Sequence, residues 1–470
     1  MPLSPRNIAL GALLLLAITA TFLVRHHVFF WDTIQLGSKH AHWYFENDFR
    51  YLLLPDEIDS GHPPAFGMYL AGVWKLFGKS LAASHLAMLP FLLGLIVLLF
   101  RIGDYFGGRE NSWMLALLAV ADPVLAGQAV LVSPDIALAC FFLLVLYGIL
   151  ARQTGAQILG AMGLAVISTR GMMLMGILYL FGLLLHWNKN WLTPVRQVLP
   201  YIPGGLLALT FLAYHYQMKG WVGYHAEMPW APSFERVGLP GIFRNAVTLA
   251  WRLADYGRVF IWLPLGWLAY RWWKSRTPDR DEKVQKAFWL LALCLPLLSI
   301  TFLLYRGLHG HRYLLPIFLS LSIFFYTLLV HTPLTLRIRR LLFGAALAGL
   351  LTGNLWIYPD TVSQGWDSTL AHLPYYRLRH EMLGYLAEQN IPLESVGTAF
   401  PEIGPLKYKE ANDEQRGMKE KDLSTDSYIF YSNVMNDFRD DEILSLRREW
   451  RIVEQWKKGG VRVILYQRME

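Results

Sequence analysis

Long apolar runs recur through the first 357 residues of this chain, and they limit what it can become. A helix needs about 20 mainly apolar residues to cross a bilayer, because the hydrocarbon core is about 30 Å thick. Such runs lie near 8–28, 80–102, 110–130, 134–151, 156–170, 172–187, 198–214, 258–273, 287–305, 313–330 and 340–357. They predict a polytopic all-α membrane protein of about 11 transmembrane helices, some tilted or broken. Composition agrees: 17% of the 470 residues are charged, against about 25% in soluble domains. Aromatics reach 14%, with 18 Trp, which suits long membrane–water interfaces. No small-residue cleavage site precedes Phe29-Phe30-Trp31, so the first run reads as an anchor and not as a signal peptide. Cys140 and Cys294 both lie in apolar runs, which excludes a disulfide scaffold.

Charge then gives orientation and domains. Arg271, Lys274, Arg276, Arg280, Lys283 and Lys286 crowd one loop, and Arg337, Arg339 and Arg340 another. The positive-inside rule puts both in the cytoplasm. The loops 29–79 and 215–257, the turn 306–312 and the tail then face outward, and the short cytoplasmic loops resemble those of a bacterial inner-membrane protein. Hydropathy drops at Tyr358-Pro359 and does not recover. Two domains are expected, a membrane body over 1–357 and an outer α/β unit over 358–470. The tail holds 19 of the 35 acids and 15 of the 43 bases, so the body is basic and suits anionic lipids and phosphate-bearing substrates. Tyr375–Gln389 and Asp440–Trp450 read as helices, and Ser395–Phe400, Ser427–Ser432 and Val461–Gln467 as strands. The bases are scattered between spans and form no reader motif, so no nucleic-acid partner is expected.

Ionisable residues at membrane depth are costly and invite a functional question. Asp32 follows the first span. Asp59 and His62 sit in Asp59-Ser60-Gly61-His62-Pro63-Pro64. Asp135 opens the fourth span, and Arg170 lies at the turn after the fifth. Arg306, His309, His311 and Arg312 lie between the ninth and tenth, and Tyr313 opens the tenth. All fall on the outer face. Pro63-Pro64 can start a helix, and Phe66, Tyr69, Leu70, Val73 and Phe77 follow at helical spacing. That predicts an interfacial helix over Pro64–Gly78, with a second over Thr33–Phe49. In the later outer loop Phe243, Val247, Trp251 and Ala254 form a stripe, with Arg244 and Arg252 off it. Each residue has a plainer reading. Asp59 and Ser60 could cap the Pro63 helix, Asp135 could serve its helix dipole, and the arginines could snorkel. Asp122-Pro123 suggests a broken span and receives no role. The histidine pairs His40/His42 and His309/His311, with Glu57 or Asp59, leave a divalent metal open, although their spacing matches no standard site.

Taken together, an aspartate after the first span, a His-Pro-Pro interfacial helix ending Lys75-Leu76-Phe77-Gly78, a Pro134-Asp135 opening and Arg312-Tyr313-Leu314-Leu315-Pro316 resemble the GT-C superfamily of integral-membrane glycosyltransferases. Within it, the chain is similar to the protein mannosyltransferase and lipid A aminoarabinose transferase branch, over about residues 8–357. The resemblance implies a polyprenyl-phosphate-linked sugar donor and transfer to an acceptor hydroxyl of a lipid, glycan or protein at the outer membrane face. Asp32 would be the base. The family often has Asp-Glu where this chain has Asp32-Thr33, and the aminoarabinose-type enzymes have lysine where this chain has His62.

The chemistry stands without the family name. Sugar transfer from a phospholipid donor needs a base for the attacking hydroxyl and cations for the leaving phosphate. Asp32 fits the first need. Arg170, Arg306, Arg312 and His62 fit the second, with Asp59, Asp135 and Tyr313 as further substrate-binding candidates. No cofactor is required by this scheme. A transporter or flippase is the competing reading. It would place its site near the midplane, often within internal repeats, and no repeat is evident here.

Overall fold

The computed structural model describes residues 4–186, 192–228, 230–275 and 278–469, with backbone alone for 278–281. Arg276 and the side chain of Arg280, both expected in a cytoplasmic loop, lie outside what is described. Each expected apolar run coincides with a helix. Among the described residues six helical segments are long and apolar enough to cross a membrane: Pro5–Val24, Leu81–Gly107, Thr169–His186, Leu192–Lys219, Glu282–Leu304 and His311–His331. The chain is an integral membrane protein. Ser112–Ala121 and Pro123–Ala129 pass the same test as a pair, bent by 72°. The break has a sequence cause. Asp122 is extended, Pro123 has no N–H to continue the ladder, and the Asp122 carboxylate caps the second arm by accepting from Val124 N at 2.9 Å.

Lipid contact explains the helices that lack a polar face. In Pro5–Val24 the side chains of Leu15, Leu16, Phe22 and Leu23 are exposed. The reverse holds for Leu315–His331, in which nearly every residue is buried by neighbouring helices. Interfacial segments follow the expected places with altered geometry. The helix predicted over Pro64–Gly78 runs Ala65–Phe77 and has no side-chain cap, so Asp59 and Ser60 do not cap it. The segment predicted over Thr33–Phe49 is a π-helix, Ile34–Lys39, continuing as the α-helix His40–Glu46.

The tail is an α/β unit. Its strands are β1 (Val396–Thr398), β2 (Gly404–Pro405), β3 (Gly417–Glu420), β4 (Tyr428–Ser432), β5 (Trp450–Lys458) and β6 (Val461–Arg468). They form one sheet in the order β2-β3-β1-β4-β6-β5. β1 runs parallel to β3 and β4, and the other pairs are antiparallel. Tyr375, Leu378, Met382 and Leu386 of the Pro374–Glu388 helix supply its core at helical spacing. Packing crosses the expected boundary at 357/358. Phe30 and Leu131 of the membrane body belong to the tail's core, and Phe30 stacks on His372 with ring centres 5.0 Å apart. This contact fixes the turn that carries Asp32.

Candidate active site

Asp32 stands in a strained turn. Trp31 before it has φ 53°, a left-handed conformation that a bulky residue adopts only when its surroundings impose it. Two interactions impose it here. Thr33 Oγ1 accepts from Phe30 N at 2.9 Å and donates to Phe30 O at 2.7 Å, and Phe30 itself is locked in the tail's core.

Arg312 lies in the short 3₁₀ turn His311–Leu314 that opens a buried helix. Its guanidinium reaches three carboxylates from three distant segments. It pairs with Asp32, with Asp135 at 3.1 Å and with Asp367 at 3.3 Å. Asp135 sits in the first turn of Pro134–Leu150, where Ser133 is the cap, and it takes a second arginine, Arg170, at 2.8 Å. The Tyr313 ring lies beneath both guanidiniums, 4.5 Å from Arg170 and 4.6 Å from Arg312. Its hydroxyl accepts from Arg312 at 2.9 Å. Two cations thus face three carboxylates, which leaves one negative charge in excess. The Asp135 and Asp367 side chains are 2% and 6% exposed, whereas Asp32 is 34% exposed. Asp32 is therefore the carboxylate an incoming hydroxyl can reach.

Asp32, Arg312 and Tyr313 border two cavities. The smaller, about 190 Å³, is also lined by His62, Arg170, Trp230 and Phe234. The larger, about 450 Å³, lies between the membrane body and the tail and is also lined by Arg252, His309, Asp367, Asn436 and Asp437. Arg170 Nη1 is buried without a hydrogen-bond partner, a donor left over for a ligand oxygen. His62 Nδ1 meets Thr169 Oγ1 at 3.0 Å. Burial and the Arg170 charge push the His62 imidazole down to about 3, so at neutral pH it offers a neutral ring.

Two of the expected site residues stand apart. Asp59 is bound to His215 at 3.1 Å and Lys219 at 3.4 Å and accepts from Gly61 N at 2.9 Å. Burial opposes its ionisation, but these partners outweigh it and hold the carboxyl below its usual range. It ties the outer loop to the Ile202–Lys219 helix. Arg306 is 63% exposed and pairs with Glu235 at 2.8 Å. Its backbone N–H bonds Glu235 O, and Gly307 N bonds Ser233 O, which holds the 233–235 segment against the smaller cavity. The paired histidines diverge. His40 Nε2 meets Ile58 O at 3.0 Å, His42 Nδ1 meets Ser38 O at 2.9 Å, and His311 meets Asp255 at 2.9 Å. Among the described residues no group of three or more His, Cys, Asp or Glu is placed to hold a metal ion.

Sequence reasoning missed Asp367, which lies in a polar segment where an acid carries no cost and gives no signal. It left Asp122 without a role, and the structure supplies one: both carboxylate oxygens bind Arg258 at 2.7 Å. Arg252, which with Arg244 lies off the apolar stripe of its helix, receives no role from the sequence, and the structure places it at the wall of the larger cavity.

The described residues thus form a bundle of apolar helices with a broken span and interfacial helices, joined to a small α/β unit. Among solved structures the chain is similar to ArnT from Cupriavidus metallidurans, determined bound to undecaprenyl phosphate, at 13% identity and a TM-score of 0.53 over 97% of both chains. The apo state of the same protein gives 13% identity and a TM-score of 0.52, again over 97% of both chains. The arabinofuranosyltransferase AftD from Mycobacteria is similar at 14% identity and a TM-score of 0.48, over 99% of this chain and 42% of that one. The resemblance drawn from the sequence thus holds at the level of the fold. No protein-family model and no curated protein sequence matches the chain.

Proposed function

We infer that this protein is a membrane glycosyltransferase that moves a hexosyl or pentosyl unit from a polyprenyl-phosphate-linked donor to an acceptor hydroxyl. The observation that carries the reading is the Arg170–Asp135–Arg312–Asp32 chain beside a cavity that Arg170 lines with an unmatched donor. The fold shared with a protein solved on undecaprenyl phosphate supports the donor class. In the step itself Asp32 accepts the proton of the acceptor hydroxyl. The freed oxygen attacks the anomeric carbon, and the bond from that carbon to the phosphate oxygen breaks. Polyprenyl phosphate leaves with its new negative charge held by Arg170 and Arg312. Asp135 and Tyr313 position both arginines, and His62 supplies a neutral ring to the same cavity.

The reaction belongs at the outer face of a bacterial inner membrane, with the tail on that side. The basic stretches at 271–286 and 337–340 support this orientation. The test uses purified full-length protein in detergent with a labelled polyprenyl-phospho-sugar. Release of polyprenyl phosphate that stops in Asp32→Asn is the expected result. Movement of the donor into sealed vesicles without bond cleavage would establish the flippase instead.

A further inference from the structure

The tail grips the turn that carries Asp32 at two points. Phe29 N donates to Lys409 O at 2.8 Å, so the backbone of the short helix Lys407–Glu410 holds the residues that lead into the turn. Two residues further on, the Trp31 ring meets the Phe400 ring edge-on, with centres 6.3 Å apart. Phe400, Trp31 and Asp32 line the larger cavity together. Trp31 keeps its left-handed φ of 53° only while its surroundings impose it. A loosened grip would let the turn relax and carry the Asp32 carboxylate out of place.

One side chain joins the two grips. Lys409 is 1% exposed, and its Nζ donates to Glu402 O at 2.8 Å, to Gly404 O at 2.7 Å and to Ile403 O at 3.3 Å. It therefore ties the backbone just past Phe400 to the residue whose own carbonyl holds Phe29. The charged form has three N–H donors for these three carbonyls, and the neutral amine has one fewer. Buried carboxylates compensate the charge. Glu402 accepts from Arg379 Nε at 2.7 Å and from the Tyr375 hydroxyl at 2.9 Å, and Glu410 accepts from Arg379 Nη1 at 3.0 Å. Burial lowers the Lys409 ammonium to about 8 against the pull of Glu402 and Glu410, and the charges of Arg379 and Lys39 add to the fall.

We propose that Lys409 is a positioning residue for sugar transfer: its side chain locks the 400–404 segment onto the Lys407–Glu410 helix, and the two together hold Asp32 at the cavity edge. Lys409 lines neither cavity that Asp32 borders. It acts through Phe29, Trp31 and the strained turn that follows them. This assignment rests on the reading of Asp32 as the base and adds the means by which the tail serves it.

Turnover of a labelled polyprenyl-phospho-sugar that the unsubstituted full-length protein cleaves in detergent tests it. Lys409→Met keeps the apolar stem and removes the ammonium. Its kcat should fall by about 10-fold or more, since small misplacements of a reacting group carry costs of that order. KM for the donor and the binding of undecaprenyl phosphate should stay within about twofold. Leu446→Ala opens the tail core beneath the Asp440–Glu449 helix and should lower the unfolding midpoint with kcat unchanged. Turnover of the unsubstituted protein should decline as the pH rises past about 8, where Lys409 loses its charge. Lys409→Arg, which stays cationic there, should retain turnover and move that decline to higher pH. The proposal is overturned if Lys409→Met keeps kcat within about twofold, if its loss appears in KM instead, if Leu446→Ala costs as much turnover for the same loss of midpoint, or if Lys409→Arg leaves the alkaline decline in place. Should Lys409→Met fail to fold, the alkaline decline in Lys409→Arg decides alone. If Asp32→Asn keeps full turnover, the base assignment falls and this inference falls with it. Full turnover in Lys409→Met beside an inactive Asp32→Asn removes this inference only.

Discussion

Asp122 and Arg258 meet in two parallel hydrogen bonds of 2.7 Å at the break of the bent span. The Arg258 side chain is 0% exposed and lies 3.6 Å above the Phe318 ring. Removing one member of such a pair strands a buried charge, which costs about 3–5 kcal/mol, whereas neutralising both costs far less. Arg258→Met should therefore be strongly destabilised. Adding Asp122→Asn, which keeps the cap on Val124, should recover most of the loss. Unfolding midpoints in detergent decide this, and a double variant no better than Arg258→Met would show that the pair does not hold the break.

Asp32→Asn keeps the shape of the side chain and removes the negative charge that accepts a proton. The sugar-transfer rate should fall by at least about 100-fold, the usual scale for a lost general base. Affinity for undecaprenyl phosphate should change little, because the arginines that face it remain. Turnover within a few fold of the unsubstituted enzyme would remove Asp32 from the chemistry.

The parts of this site differ in how far the sequence disclosed them, and the reason is the local solvent. Asp32, Asp135, Arg170 and Arg312 stand out because each lies at one end of an apolar run, where a charge needs a reason. Arg306 stands out equally, yet it faces outward to Glu235. Nothing in a run of residues says to which side of a turn a side chain points. The apolar helices are legible because lipid demands uniform hydrophobicity. In the tail, β5 escaped notice because Trp450 follows the Asp440–Glu449 helix with no breaker between them. A hairpin signal was nevertheless present at Gly459-Gly460, where both residues have positive φ.

His62 makes a pH prediction whose sign is fixed by its surroundings. Burial and Arg170 hold it at about 3 in the folded protein, against about 6.5 when unfolded. The unfolded chain therefore binds the extra proton first. The contribution to stability is full above the unfolded value and is lost as the pH falls from about 6.5 towards the folded value. His62→Gln should show a shallower loss of unfolding midpoint between about pH 7 and about pH 4.5. Parallel pH profiles for the two proteins would mean that the imidazole is protonated in the folded state.

Gly127 reports whether the tail takes part in the site. A Cβ there would lie 2.7 Å from Thr369 N and 2.9 Å from Asp367 O, and these are backbone atoms that no rotamer change can move. The Asp367 carbonyl is also held by Gln128 at 2.8 Å, and its carboxylate by Arg312 at 3.3 Å. Gly127→Ala must push the Pro123–Ala129 arm and the 366–369 turn apart, which carries Asp367 away from Arg312. Overpacking of this kind costs about 1–3 kcal/mol, and sugar transfer should fall with it. Gly155→Ala, in the helix Thr154–Ile167 where no atom lies within 4 Å, serves as the control; it should leave turnover unchanged and should not lower the midpoint. If Gly127→Ala keeps both its midpoint and its turnover, the tail merely covers the site and Asp367 does not help to set Arg312.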